Sequence, residues 1–181
     1  RLWDNDHVES HNIANQAFLS NQVGELKTTA LSDLLSQINP AVKVEIVNRF
    51  FDSSIDHPTG PIIIAVDSMK ARKDIFNTFY MNPSIPVVAE IRLGFNAGEI
   101  WIVNPLDAKE SKNWQNNLCN DEDVPEGPCN LRICTTLVQF TFANAIHNIC
   151  NHYASIRHKN KWEYDRRLVV SYKDKLNLIK L

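Results

Sequence analysis

Six consecutive residues, Pro61-Ile62-Ile63-Ile64-Ala65-Val66, carry no polar side chain and give way at once to Asp67-Ser68. A strand buried on both faces of a parallel sheet reads this way, whereas a half-exposed strand alternates apolar with polar. The segments around it fit such a sheet. Upstream, Val23, Leu26, Ala30, Leu31, Leu34, Leu35 and Ile38 keep helical spacing, and Asn39-Pro40 stops the helix, because proline disfavours a helical residue before it. Val42, Val44, Ile46 and Phe50 then mark a strand over 42–50. Downstream, Ala71, Ile75, Phe76 and Phe79 place a helix over 69–80. Strands follow at Val87–Ile91 and Glu99–Val103, close enough for a hairpin.

Residues 104–130 are polar with few apolar anchors, which predicts a long loop, functional or disordered. A long helix is expected over 131–156, with Phe140, Phe142, Ile146 and Ile149 in the core. Two short strands, 168–172 and 176–179, close the chain. At the other end Leu2-Trp3 is a short apolar run that stops at Asp4, like the end of a strand. Alternating strands and helices in the first half indicate an α/β fold. The expected architecture is a Rossmann-like, mostly parallel sheet with helices on both faces and an antiparallel C-terminal extension. The chain is read as one domain, 1–181, an ordinary size at ~100–200 residues per domain.

Composition removes several function classes. A net charge of -2 argues against a general nucleic-acid binder. No apolar run reaches the roughly 18 residues of a membrane span. The four cysteines, at 119, 129, 134 and 150, form no C-x-x-C pair, so neither a disulfide scaffold nor a zinc site is expected. The expected setting is reducing and cytosolic.

Three places can carry chemistry. Asp4-Asn5-Asp6 ends a strand, where open α/β sheets bind ligands and where a carboxylate can accept from ribose hydroxyls; the same residues serve equally as a turn. Asp67-Ser68 also stands at a strand's carboxyl end, and either residue can cap the following helix. Lys27, in Gly24-x-x-Lys27, stands in a first helical turn against the dipole preference. It is either a solvated lysine or one that faces an anion such as a phosphate.

Their joint order resembles the ubiquitin-activating-enzyme-like superfamily, the ThiF/MoeB/HesA adenylyltransferases. Asp4-Asn5-Asp6-His7-Val8 through Asn12 and Gln16 is similar to that family's D-x-D-x-V-x-x-x-N-L-x-R-Q motif. Val23-Gly24-Glu25-Leu26-Lys27 resembles its V-G-x-x-K, and Asp67 with Arg72 its D-x-x-x-x-R. Pro86-Val87-Val88 through Gly98-Glu99-Ile100 resembles its later strand pair.

The resemblance implies ATP and Mg2+ as cofactors. It implies Asp4, with Asp6, at the ribose; Asn12 and Gln16 shaping the loop and phosphate site; Lys27 on the phosphates; and Asp67 as the metal ligand. The implied activity is adenylation of the C-terminal carboxylate of a ubiquitin-like or sulfur-carrier protein. The implied assembly is a homodimer or heterodimer. Two departures are visible: Asn15 stands where the family has arginine, and no G-x-G occurs, so the first βα unit is expected to be missing from the sequence.

Cys129, before the expected long helix, is a candidate for a covalent carrier intermediate, since a helix N-terminus favours the thiolate. Cys119 is a second candidate, and a structural thiol is the alternative. Cys134 and Cys150 are expected in the core. His147 and His152, five apart, are read as structural or exposed. Two other functions remain open: a non-catalytic scaffold or partner subunit, which Asn15 favours, and an NAD oxidoreductase, in which Gly24–Lys27 would have no role.

Overall fold

The computed structural model describes residues 1–94, 97–123, 135–161, 163–172 and 176–180. The chain divides into two compact units, Arg1–Asp52 and Ser53–Leu181.

In the first unit β1 (Leu2–Trp3) pairs in parallel with β2 (Ile46–Val47), Leu2 opposite Ile46 and Trp3 opposite Val47. Between them lie two 3₁₀ turns, Ser10–Asn12 and Ser20–Gln22, and α1 (Lys27–Ile38). Helix α1 starts four residues later than its apolar spacing suggests. Gly24 explains the delay: its φ of +94° belongs to the left-handed region, which a helix cannot contain. The far end is as expected, since Asn39 leaves helical geometry before Pro40. β2 is much shorter than the expected 42–50. Val42 is exposed, so the alternation there reflects no sheet face.

In the second unit five strands lie in the order β3-β4-β5-β6-β7. They are β3 (Ile62–Ile64), β4 (Val88–Leu93), β5 (Ala97–Val103), β6 (Arg167–Tyr172) and β7 (Leu176–Lys180). β3 and β4 are parallel, and the remaining pairs are antiparallel. The α/β class and the antiparallel C-terminal strands are thus present as read. The apolar run itself is corrected: β3 stands at the end of the hydrogen-bonded order and Ile63 is 45% exposed, so it is not buried on both faces.

Helix α4 (Thr135–His158) covers one face of this sheet. Leu137, Ala145 and Ile149 meet Val87, Ala89, Ile91, Ile100, Ile102, Leu168 and Val170 there. Ile146 is exposed rather than in the core, and so is Cys150; both face away from that stripe. The other face of β4 carries Glu90, which Arg72 of α2 (Met69–Phe79) and Trp114 of α3 (Ala108–Asn116) both reach.

The segment expected to be a loop contains α3. Its N-cap is Asp107, which accepts from the Glu110 amide at 3.0 Å, and its buried residues are Glu110, Ser111 and Trp114. One aromatic residue anchors it, and it stacks with Phe76 of α2.

Gly98 of β5 meets α4 closely. A Cβ there would lie 3.1 Å from Thr141 Cγ2 and closer still to its hydroxyl, which is pinned by a 2.7 Å bond to the Leu137 carbonyl. Gly98→Ala should therefore cost about 1–3 kcal/mol by overpacking. The double variant with Thr141→Ala should regain most of it, read as thermal midpoints; an unchanged midpoint in Gly98→Ala would contradict the close approach.

Candidate functional site

The first-unit residues assemble around the start of α1. Asp4 follows β1, and its Oδ1 accepts from the Asp6 amide at 2.8 Å, so it does form the turn. Asp6 in turn accepts from the Lys27 amide through its carbonyl and from Lys27 Nζ through its carboxylate, both at 2.9 Å. The first-turn lysine faces an anion, and in this structure that anion is Asp6. The pair is accessible: the Asp6 side chain is 57% exposed and that of Lys27 21%. Val8, buried, links the two segments, accepting from the Gly24 amide and donating to the Glu25 carbonyl.

Asn12 is buried and works on the backbone. Its Oδ1 accepts from the Glu9 amide at 2.9 Å, and its carbonyl accepts from the Gln16 amide at 2.8 Å. Gln16 itself is exposed. Gln22, absent from the sequence-based candidates, plays the same part in the second turn: its Oε1 accepts from the Leu19 amide at 2.8 Å. Both turns show one signal, an amide side chain three residues after the residue it ties. Asn15 buries its Oδ1 without a hydrogen-bond partner among the described residues.

In the second unit Asp67 follows β3 and is exposed; its carboxylate takes no hydrogen bond from any described residue. An accessible, uncompensated carboxylate suits a hard cation that keeps most of its water. Its carbonyl is held by Arg72 Nη1 at 3.1 Å. Ser68, the N-cap, accepts from the Ala71 amide at 3.2 Å. No group of three or more His, Cys, Asp or Glu among the described residues could hold a metal by itself.

Arg72 is the functional-type residue whose setting the sequence hides. It is buried, with Nε 2.6 Å from Glu90 Oε1 and Nη2 3.3 Å from the Ile91 carbonyl. Glu90, fully buried, also receives Arg92 Nε at 3.0 Å and Trp114 Nε1 at 3.2 Å. Arg92 and Arg167 flank the Trp101 ring, whose Nε1 donates to Glu99 at 2.9 Å.

Cys119 is exposed with a free thiol. Cys129 and Cys134 lie outside the described residues. His147 is exposed, and His152 is half-buried, its ring driven toward the neutral form by burial. No described helix is long and apolar enough to cross a membrane.

Glu110 offers a titration test. Oε1 accepts from the Asn104 amide at 3.1 Å and Oε2 from the Tyr164 hydroxyl at 2.7 Å. Burial, the dominant influence, lifts its carboxyl above the usual 4.5, and the Tyr164 bond opposes the rise. A carboxyl with a higher pKa folded than unfolded stabilises fully below the unfolded value and loses that contribution as pH rises through the folded one. The thermal midpoint should therefore fall relative to Glu110→Gln as pH climbs from below 4.5 through the raised value; parallel profiles would contradict it.

A family model described as the ThiF family matches residues 1–161. Among solved structures, that of PaaA is 15% identical, with a TM-score of 0.67 over 99% of this chain and 63% of that one. A structure of E. coli MccB with AMPCPP and MccA is 13% identical, with a TM-score of 0.69 over 99% and 54%. One of E. coli MccB with ATP is 14% identical, with a TM-score of 0.59 over 99% and 54%. At these identities the likeness is one of fold. The chain spans between half and two thirds of the length of these structures. No curated protein matches the sequence.

Proposed function

The chain belongs to the ThiF family, and on that premise we propose that it carries the adenylation chemistry of a protein that activates the C-terminal carboxylate of a peptide or small carrier protein with ATP. The observation that carries the reading is Lys27 in the first turn of α1, paired with an exposed carboxylate two residues beyond Asp4. Support also comes from the MccB structures, which hold AMPCPP with MccA, or ATP.

In the proposed reaction a carboxylate oxygen attacks the α-phosphorus. The new P–O bond forms as the bond to pyrophosphate breaks, and pyrophosphate leaves. Negative charge grows on the phosphate oxygens, so fixed cations lower the barrier. Lys27 supplies one, exchanging Asp6 for phosphate. Asp67 is the proposed ligand of Mg2+, which would neutralise phosphate charge. Asp4 and Asp6 are proposed to hold the ribose, with Asn12 and Gln16 shaping the loop. Cys129, or Cys119, is the proposed acceptor of the acyl group: its thiolate attacks the acyl carbon, a thioester forms and AMP leaves. A ubiquitin-like or sulfur-carrier protein is the finer form of the substrate, and a dimer is the proposed assembly.

ATP–pyrophosphate exchange tests the reading. The complete protein should exchange label only when a substrate with a free C-terminal carboxylate is present; exchange that ignores the substrate would contradict it. A second reading, a non-catalytic partner subunit, is favoured by Asn15. Asparagine brings neither the charge nor the donor fork of the family's arginine. That reading expects tight carrier binding with no exchange.

A further inference from the structure

Residues 117–123 follow α3, and none of the seven is buried. Several polar bonds attach them to the rest of the second unit. Arg92 Nη1 donates to the Asn117 carbonyl at 3.3 Å, and Lys73 Nζ to Asn120 Oδ1 at 2.9 Å. Asp121 makes the densest contact. Its carboxylate accepts from the Met69 amide, from the Lys70 amide at 3.1 Å and from the Ser68 hydroxyl at 3.2 Å.

A helix start leaves its first amides without intrahelical partners. In α2 Ser68 satisfies only Ala71, and Asp121, from a distant segment, satisfies Met69 and Lys70. Around the carboxylate stand Lys70, which also pairs with Asp74 at 2.7 Å, Lys73, and the neighbouring Glu122 and Asp123. Asn120 Nδ2 donates to Asp123 Oδ2 at 3.1 Å, which keeps the turn compact.

We infer that Asp121 is a latch: its carboxylate holds residues 117–123 as a strap against the turn between β3 and α2, and withdrawing it uncovers the Met69 and Lys70 amides beside Asp67. No side chain of the strap is fully buried, and Leu118 is its one half-buried apolar residue, so little else holds the strap once the carboxylate is gone. The strap stands on the contacts alone; only its bearing on Asp67 as a metal ligand rests on the proposed adenylation. Release would let the strap bearing Cys119 move away from that turn.

The test is made on the complete protein without nucleotide or carrier, so it is independent of activity. Amide hydrogen exchange at Met69 and Lys70, and cleavage after Glu122 by a glutamate-specific protease, are measured for the wild type, Asp121→Asn, Asp121→Ala and Asp123→Asn. Both Asp121 variants should speed both readouts by about tenfold, with the thermal midpoint and exchange in β4 and β5 unchanged. Unchanged rates would overturn the latch. Equal acceleration by Asp123→Asn would also overturn it, and so would acceleration spread through β4 and β5.

Discussion

Lys27→Ala is expected to lower substrate-dependent ATP–pyrophosphate exchange by about 10²–10³-fold, the usual loss when one fixed charge-stabilising donor is removed from a transition state. The effect should fall on kcat, with nucleotide affinity changed far less, because the charge that Lys27 would meet grows as pyrophosphate departs. Folding should be little affected. The Lys27–Asp6 pair is partly exposed, at 21% and 57%, and such pairs contribute only about 0–1 kcal/mol. A thermal midpoint close to the wild type, beside the collapse in exchange, separates chemistry from stability. Asp6→Asn supplies the complementary measurement: as a proposed ribose contact, its loss should raise the KM for ATP while kcat falls far less than in Lys27→Ala. A Lys27→Ala protein with full activity would remove Lys27 from the mechanism.

The largest stability effect is expected at Glu90. Its carboxylate is fully buried between Arg72 and Arg92, with the Trp114 indole as a further donor. Removing one partner from a buried pair strands the other charge, at about 3–5 kcal/mol. Glu90→Ala strands Arg72, itself buried, and that cost is a large share of the roughly 5–15 kcal/mol that holds a domain together. Unit Ser53–Leu181 should therefore lose its cooperative thermal transition or melt far below the wild type. Glu90→Gln keeps an acceptor for Trp114 and should fall between the two. A Glu90→Ala protein that melts like the wild type would show that Arg72 finds another partner.

This glutamate also shows where reading from sequence stops. Within Val87-Val88-Ala89-Glu90-Ile91 it stands as one polar residue in an apolar strand. Its burial is decided by Arg72 and Trp114, which lie on two helices distant in sequence. Local periodicity carries no record of such partners. Helix α3 was concealed for a related reason: only Glu110, Ser111 and Trp114 turn inward, so the helix has no apolar stripe to read. By contrast α2, with Ile75, Phe76 and Phe79 buried, and the β4–β5 pair were legible, because one-sided burial writes a period into the chain.

Some of the local geometry around the candidate residues was legible. Asp4 stands directly after β1, whereas β3 ends at Ile64, so Ala65 and Val66 separate it from Asp67. The oddity of a lysine in a first helical turn pointed to a nearby anion, and Asp6 is there. What the spacing could not convey was that Asp4 spends one oxygen on the Asp6 amide, or that the start of α2 is capped from residue 121. Both are matters of three-dimensional pairing between side chain and backbone.

The central claim, that a carboxylate is joined to the α-phosphate, is tested most directly by oxygen transfer. A substrate peptide or carrier whose C-terminal carboxylate bears heavy oxygen is incubated with the complete protein, MgATP and an acceptor for the activated acyl group. The AMP released is then weighed by mass spectrometry. Adenylation requires one heavy oxygen in the AMP, carried across when the acyl group departs. Unlabelled AMP, or ADP in its place, would contradict the account.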